Sequence, residues 1–187
     1  LPLPPGTLLD LWQGTQRFKA DYLNKFPGYY FSGDGGFIDE DGFVYITGRV
    51  DDVINVAGHR LSTAEMEEIV ASHHSVAECA VIGVNDELKG QAPLALVVTK
   101  SGETIEHFQL EQEIVQLVRQ QIGAVASMRN VVMVNRLPKT RSGKILRKLL
   151  RSIADGAVFQ VPSTIDDETI IDEIKESLEK YAMGKAK

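Results

Sequence analysis

The sequence predicts an α+β fold, a small sandwich of mostly antiparallel sheet and covering helices, preceded by a short flank with a β-hairpin. Three observations predict it: apolar runs of strand length, apolar residues that recur at helical spacing, and turn signals between them. After residue 51 these elements follow the order βαββαβα, which suits helices packed on one sheet. With 187 residues, of which 43% are hydrophobic, the chain can bury a core of this size.

The flank, residues 1–50, contains two predicted elements. Leucine and aromatic residues between positions 12 and 26 predict a short helix that needs a partner surface. Residues 37–47 predict a β-hairpin, because the turn pair Asp41-Gly42 separates two apolar strands.

The regular region begins with a strand at 53–56 that turns at Gly58. Ser62 and Glu65 then form a capping box for a helix that runs through about Ser72. Apolar runs and helical periodicity predict the remaining elements: strands at 79–84, 94–98 and 131–134, a helix from 110 to about 123, and a loosely attached last helix around 170–181.

A basic amphipathic helix is predicted around Lys144 and the residues that follow it. Ser142 is a good helix N-cap and Gly143 permits a tight bend, so Lys144 is expected at the start of that helix, presented from the turn. One interpretation is a solvated cationic helix end. A P-loop is excluded, because the glycine that its pattern requires five residues before Gly143 is replaced by Pro138.

Composition argues against several classes of protein. The net charge of −6 is unlike that of general nucleic-acid-binding domains, and no apolar run has the length of a transmembrane helix. The single cysteine, Cys79, is expected to pack as a small hydrophobe. The four histidines have no metal-ligand spacing, so no metal site is predicted. The opening residues lack a methionine and suggest an excised fragment whose targeting signal would lie upstream.

Three motifs, at residues 29–35, 48–68 and 138–148, occur in a specific order. In that order they resemble the late core motifs of the adenylate-forming superfamily, which includes acyl-CoA synthetases, luciferases and peptide-synthetase adenylation domains. The middle motif is similar to the short-chain branch, whose members activate acetate or propionate. Residues 78–84 and 88–91 are more similar to propionate-activating members than to acetate-activating ones.

The resemblance implies roles toward ATP for four residues. Lys144 would be the catalytic lysine that contacts both the incoming carboxylate and the α-phosphate. Asp34 would accept the ribose hydroxyls, Arg49 would help to hold the same ribose, and Arg60 would contact phosphate. Read without the resemblance, Asp34 is better explained as an Asx-turn residue, and Arg49 as a surface ion-pair partner of Asp51 or Asp52.

The resemblance also implies roles for three residues in the second half of the reaction. Asp51 would be the hinge about which the small domain swings, Gly58 would line the pantetheine tunnel, and Arg119 would meet the phosphates of coenzyme A. The alternatives are a polar domain boundary for Asp51, a turn glycine with positive φ for Gly58, and a solvated helical face for Arg119.

By this resemblance the chain would be about the final quarter of an enzyme. Residues 1–50 would be the tail end of a large N-terminal domain, residue 51 the hinge, residues 52–155 the lid domain, and residues 156–187 a tail with a helix. The large domain would carry the phosphate loop, the acyl pocket and the ligands of the Mg²⁺ that accompanies ATP. The enzyme would convert a short-chain carboxylate, ATP and coenzyme A to acyl-CoA, AMP and diphosphate.

The fragment alone is expected to be monomeric and inactive, with no nucleic-acid or membrane partner. The resemblance implies a mitochondrial-matrix enzyme, with the cytoplasm as the alternative, and a lysine deacylase that acts on acetylated Lys144. Two rival functions have no catalytic part: an acyl-carrier module and a phosphate-binding interaction module. Both leave Asp34, Arg49 and Lys144 without a joint reason.

Overall fold

The computed structural model describes residues 6–50, 52–126 and 128–182, with the side chains of Thr47 and Ala182 excepted. The chain divides into two compact units, with the boundary between Asp51 and Asp52. Each unit is described by itself below.

The first unit holds a short helix and a hairpin. Helix α1 (Thr15–Phe18) continues into a π-helical turn at Lys19–Leu23. Strands β1 (Asp34–Ile38) and β2 (Val44–Arg49) pair antiparallel. The predicted hairpin is confirmed. Its first strand begins before the predicted residue 37, at Asp34, and its second strand ends after the predicted residue 47, at Arg49.

The second unit is built on a five-stranded sheet with the order β4-β3-β6-β5, in which β7 also pairs with β6. Its strands are β3 (Val53–Val56), β4 (His59–Ser62), β5 (Val76–Asp86), β6 (Gly90–Thr99) and β7 (Asn130–Met133). All pairs are antiparallel except β6 with β7. The predicted mostly antiparallel α+β sandwich is therefore confirmed.

Helices cover both faces of this sheet. They are α2 (Thr63–Ala71), α3 (His107–Gln121), α4 (Arg147–Ala154) and α5 (Ile170–Ala182), with a single 3₁₀ turn at Ala124–Ala126. Alternate residues of β5 and β6 enter two separate cores: Val81 and Val97 pack with α2 and α3, while Ile82 and Leu96 pack with α4 and α5. Burial on both faces explains why these strands are continuously apolar rather than alternating.

Strand β4 was not expected from the sequence. Its four residues include one buried apolar side chain, Leu61, which gives no strand pattern. A two-residue turn of Ala57 and Gly58, with φ of 49° and 88°, pairs β4 with β3. Positive φ at both central positions is typical of a type I′ hairpin turn.

Two expectations about the C-terminal helices were wrong. Helix α4 begins at Arg147, with Leu146 at its N-cap position, so Lys144 and Ser142 precede the helix. Helix α5 is not loosely attached, because Ile170 and Ile174 are buried in the core beneath α4. No helix within the described part of the chain is both long enough and apolar enough to span a bilayer.

Candidate functional site

The hairpin of the first unit brings Asp34 and Arg49 together. The two residues are direct cross-strand partners, and Arg49 Nη1 lies 3.2 Å from Asp34 Oδ1. The same nitrogen donates a 2.8 Å hydrogen bond to the carbonyl of Ser32. Arg49 therefore forms an ion pair with Asp34, while Asp51, one of the two partners that the sequence suggested as alternatives, lies outside the described residues. A guanidinium held in this way orients the Asp34 carboxylate, since charge-assisted bonds are short and directional.

Gly33 is a site residue that sequence reasoning missed. Its φ is +80°, and a Cβ at this position would lie 2.6 Å from Arg49 Nη2. A side chain there would be strained and would displace the guanidinium from Asp34. The signal in the sequence was the glycine immediately before Asp34.

The proposed hinge residue, Asp51, lies outside the described residues. The boundary between the two compact units falls immediately after it. The hinge role stays a prediction.

Lys144 lies on a tight turn that is closed by hydrogen bonds to Thr140. Thr140 N–H donates to the Lys144 carbonyl at 2.8 Å, and Lys144 N–H donates to Thr140 Oγ1 at 3.1 Å. Gly143 has φ of +84°, so the predicted bend at glycine is confirmed. These bonds keep Lys144 in the turn and out of α4, and its side chain is exposed. The turn therefore presents a cation to solvent from a constrained backbone.

Both arms of the Lys144 turn are anchored to other parts of the second unit. Residue 140 forms an isolated β-bridge with Ile165, in the segment that leads to α5. Lys139 pairs with Glu78 of β5, and Arg147 pairs with Glu67 of α2. No sequence pattern predicted the pair of Arg147 and Glu67, because the two residues are 80 positions apart.

Gly58 lies on the hairpin turn between β3 and β4, and three neighbours hold that turn. Asn55 Oδ1 accepts from Gly58 N–H at 3.1 Å, while Gln91 Oε1 accepts from Asn55 N–H at 2.8 Å. The carbonyl of Lys89, at the tip of the β5–β6 hairpin, accepts from Ala57 N–H at 2.8 Å. Among the described residues, no heavy atom lies within 4 Å of a Cβ built on Gly58, so its φ of +88° supplies the reason for glycine.

Arg60 and Arg119 are exposed, and they lie on different elements. Arg60 stands on β4 opposite Asn55. Arg119 stands in the last turn of α3 and lines a depression of about 310 Å³ together with Arg129. Two guanidinium groups beside one depression suit an anionic ligand.

A cluster of His73, His74 and Glu113 brings three potential metal-ligand atoms within 4.8 Å of one another. His73 Nδ1 accepts from Ser75 N–H at 3.3 Å, which leaves the proton on Nε2, 2.8 Å from Glu113 Oε2. Hydrogen bonds from Gln109 and His73 hold the pKa of Glu113 below its ordinary value. This tautomer suits a structural link between α3 and the turn that follows α2, since binding a metal through Nε2 would break the pair.

Burial decides the chemistry of Cys79. Its side chain is buried, and burial, with the nearby Glu67 charge, raises the pKa of its thiol to about 12. It is therefore a neutral thiol at physiological pH, as the expectation of a packed small hydrophobe requires.

The family that matches this chain does so within the second unit. Residues 65–144 match the family of AMP-binding enzyme C-terminal domains. The chain carries an AMP-binding enzyme C-terminal domain. The match ends at Lys144, so the family includes the turn described above.

Relatives and solved structures extend the similarity to nearly the whole chain. An uncharacterized protein of Pseudomonas aeruginosa is 64% identical over 98% of this chain and 29% of its own length. The human mitochondrial acyl-CoA synthetase short-chain family member 3 is 50% identical over 96% of this chain and 26% of its own length. ATP-bound MatB from Rhodopseudomonas palustris is 28% identical with a TM-score of 0.68, over 81% of this chain and 29% of that one.

The resemblance to adenylate-forming enzymes of the short-chain acyl-CoA synthetase branch is confirmed by these similarities. The chain spans between about a quarter and three-tenths of the length of the relatives that it matches.

Proposed function

We propose that this chain works within an AMP-forming short-chain acyl-CoA synthetase, as the lid that brings Lys144 to the reacting groups. The observation that carries the proposal is the Lys144 turn, which holds one exposed lysine on a backbone closed by Thr140. The overall reaction would convert a carboxylate, ATP and coenzyme A to acyl-CoA, AMP and diphosphate. The domain family and its short-chain relatives support this reaction class.

In the first step, a carboxylate oxygen attacks the α-phosphorus of ATP and diphosphate leaves. Two anions must approach each other, so a positioned cation stabilises the transition state. Lys144 Nζ is proposed to supply that charge, because an ordinary lysine is protonated at neutral pH. In the second step, the thiolate of coenzyme A attacks the acyl carbon, and AMP leaves with the electron pair of the broken bond. The thiol proton goes to solvent or to a base.

The Asp34–Arg49 pair is proposed to bind the ribose of ATP. A carboxylate has two oxygens and can accept two hydroxyl donors, while Arg49 holds it in one orientation through Oδ1. Gly33 leaves room for the guanidinium. Arg60 is proposed as a phosphate contact, on the strength of its charge and exposure.

Coenzyme A is proposed to contact two other places on the second unit. Its pantetheine arm would pass the Gly58 turn, where no side chain stands in the way, and its phosphates would meet Arg119 beside the depression that Arg129 also lines. Asp51 would act as the hinge between the two orientations of the lid. The ligands of Mg²⁺ are expected on a large domain outside this chain, and no residue here is assigned to the ion.

Propionate is the proposed acyl substrate, with acetate second, and a large N-terminal domain is the proposed partner of residues 1–50. The proposed location is the mitochondrial matrix, which the mitochondrial relative supports, whereas the Pseudomonas relative is bacterial. Acetylation of Lys144 would remove its charge, so a lysine deacylase is a proposed regulator.

The acyl substrate is tested with the full-length enzyme, by measuring diphosphate release with acetate, propionate and butyrate. The expected order of kcat/KM is propionate above acetate above butyrate. A higher value with acetate would overturn the propionate assignment and leave the reaction class intact. No diphosphate release with any of the three would overturn the proposed function.

The role of Lys144 is tested with Lys144→Ala in the same enzyme, assayed for each partial reaction. We expect adenylation to fall by roughly 10²–10³, as when one transition-state donor is removed. Formation of acyl-CoA from supplied acyl-adenylate should stay near normal. Lys148→Ala, which removes an exposed lysine from α4, is the matched control and should change neither step. Equal losses in both steps would contradict the assignment.

The chain alone should bind ATP weakly, because Asp34, Arg49 and Lys144 would each be part of a site completed by the large domain. Isothermal titration of residues 1–187 with ATP and Mg²⁺ checks this expectation. Micromolar affinity would contradict it.

A further inference from the structure

The carboxylate of Glu67 collects three hydrogen-bond donors from two other elements. It lies on α2 with 15% of its side chain exposed. Arg147 donates through Nε at 2.9 Å and through Nη2 at 2.6 Å, and Val81 N–H donates to Oε1 at 2.9 Å. A two-nitrogen contact between guanidinium and carboxylate fixes the orientation of both groups.

This carboxylate joins the two faces of the sheet at one edge. Helices α2 and α4 pack on opposite faces, in separate cores. Val81 belongs to β5, the last strand in the sheet order, and its N–H points to Glu67 rather than to a neighbouring strand. Glu67 therefore accepts a backbone N–H at the edge of β5. It also binds Arg147, the first residue of α4, which packs on the opposite face of the sheet from α2.

Arg147 is three residues beyond Lys144, and the backbone between them is constrained. Leu146 N–H donates to the Pro138 carbonyl at 2.9 Å, and the Lys144 carbonyl accepts from Thr140. A displacement of Arg147 is thus transmitted to the Lys144 turn, because few free torsions remain between the two residues. The hydrogen bonds that Arg147 donates to the Glu67 carboxylate also raise the pKa of the Arg147 guanidinium.

We propose that Glu67 is a positioning residue for the adenylation step, which acts through Arg147 to hold the turn that presents Lys144. The inference rests on the proposed role of Lys144 and adds a residue that lies on another helix, 77 positions earlier in the chain. Glu67 touches no reacting atom in this proposal. Its carboxylate sets the place and angle at which α4 and the turn begin.

The test is Glu67→Gln in the full-length enzyme, with adenylation and thioester formation assayed separately. Glutamine keeps the size and an acceptor for Val81 N–H but loses the charge that holds Arg147. We expect adenylation to fall by about 10- to 100-fold, since small displacements of catalytic groups cost up to about this much. Thioester formation from supplied acyl-adenylate should change by less than about threefold.

A double-mutant cycle separates positioning from general damage. If Glu67 acts through Lys144, then Glu67→Gln should add almost nothing to the adenylation loss in a Lys144→Ala background. The matched control is Glu113→Gln, which removes the carboxylate that links α3 to His73 in the turn after α2, and it should leave both partial reactions unchanged. Arg147→Lys, which keeps the charge and loses the two-nitrogen contact, should show an intermediate adenylation loss. It replaces Glu67→Gln if that variant does not fold.

Three results would overturn the inference. Equal slowing of both partial reactions by Glu67→Gln, or full additivity with Lys144→Ala, would show that Glu67 acts on the whole domain. Normal adenylation in Glu67→Gln, with a defective Lys144→Ala, would refute the positioning role and leave the proposed function standing. Normal adenylation in Lys144→Ala would overturn both.

Discussion

The two units of this chain differ in how far their large hydrophobic side chains are buried. Among the described residues up to Val50, Phe18 is the one large hydrophobic residue that is buried. The hairpin of the same unit exposes Phe37, Ile38, Phe43, Val44, Tyr45 and Ile46. The second unit has two cores with alternate strand residues on each face. The exposed large hydrophobics in its described part are Leu88, Phe108, Val158 and Val161.

This difference shows which unit carries its own stability. Contiguous exposed apolar surface marks a place where another surface docks, and the first unit has such a surface on both strands of its hairpin. The residues of both cores belong to the second unit itself. A large N-terminal domain, as proposed above, would supply the surface that residues 1–50 need. The residues proposed to act on ATP are found in both units, with the Asp34–Arg49 pair in the first and Lys144 in the second.

The largest expected difference concerns folding in isolation. Residues 52–182, produced alone, should unfold cooperatively on heating, because both cores are contained within that range. Residues 6–50, produced alone, should show no cooperative transition, because a single hairpin with a short helix buries too little apolar surface. Circular dichroism melts measure both. A sigmoidal melt for residues 6–50 would break the comparison.

The same substitution should have unequal effects in the two units. Ile174→Ala removes a side chain that is 1% exposed and should lower the free energy of unfolding by about 2–5 kcal/mol. Ile46→Ala removes one that is 66% exposed and should change it by less than about 1 kcal/mol. Urea denaturation of residues 1–187 gives both values. A larger loss for Ile46→Ala than for Ile174→Ala would contradict the assignment of the cores. A small loss for Ile174→Ala would support the sequence-based expectation that α5 is loosely attached.

The pH dependence of stability tests whether the ion pair of Arg136 and Asp167 helps to hold α5. Arg136, after β7, binds Asp167 at 2.6 Å and also contacts Glu173 on α5. Hydrogen bonds from Thr169 and Arg136 lower the pKa of Asp167 from its ordinary value of 3.8 to about 2. A lowered folded-state pKa stabilises the fold fully above the ordinary value, and this stabilisation is lost as the pH falls through about 2.

The melting temperatures of the wild type and of Asp167→Asn should therefore differ most near pH 6 and converge as the pH falls toward about 2. Asp172→Asn, on the exposed side of α5 beside Lys175, is the control and should show a smaller gap throughout. A gap for Asp167→Asn that widens on acidification would refute the assigned sign.

The smallest effect is expected at the Gly58 turn. Ala57 has φ of +49°, a region that costs a residue with a Cβ about 1–2 kcal/mol. Ala57→Gly removes this cost but adds chain entropy to the unfolded state, so we expect a net stabilisation of about 0.5–1 kcal/mol. Gly58→Ala should destabilise by about 1–2 kcal/mol for the same reason. Urea denaturation of residues 52–182 resolves the two signs, and stabilisation by both changes would contradict the type I′ geometry.

Local patterns in the sequence were sufficient for the fold class, for the hairpin at Asp41-Gly42 and for the three-motif resemblance. Such features depend on residues close in sequence: turn pairs, capping residues and apolar periodicity. The Ser62 cap of α2 is an example, since its Oγ accepts from Glu65 N–H as predicted. Asp34 and Arg49 were also named from the sequence, although their contact was not.

Tertiary structure decided the rest, because it depends on partners that are distant in sequence. Strand β4 forms through pairing with β3 despite its polar composition, and α4 begins at Arg147 because hydrogen bonds to Thr140 hold Lys144 in a turn. Helix α5 is fixed by buried isoleucines and by Arg136. The contact between Glu67 and Arg147 has no local signal, since only the meeting of α2, β5 and α4 at one sheet edge places the carboxylate against the guanidinium.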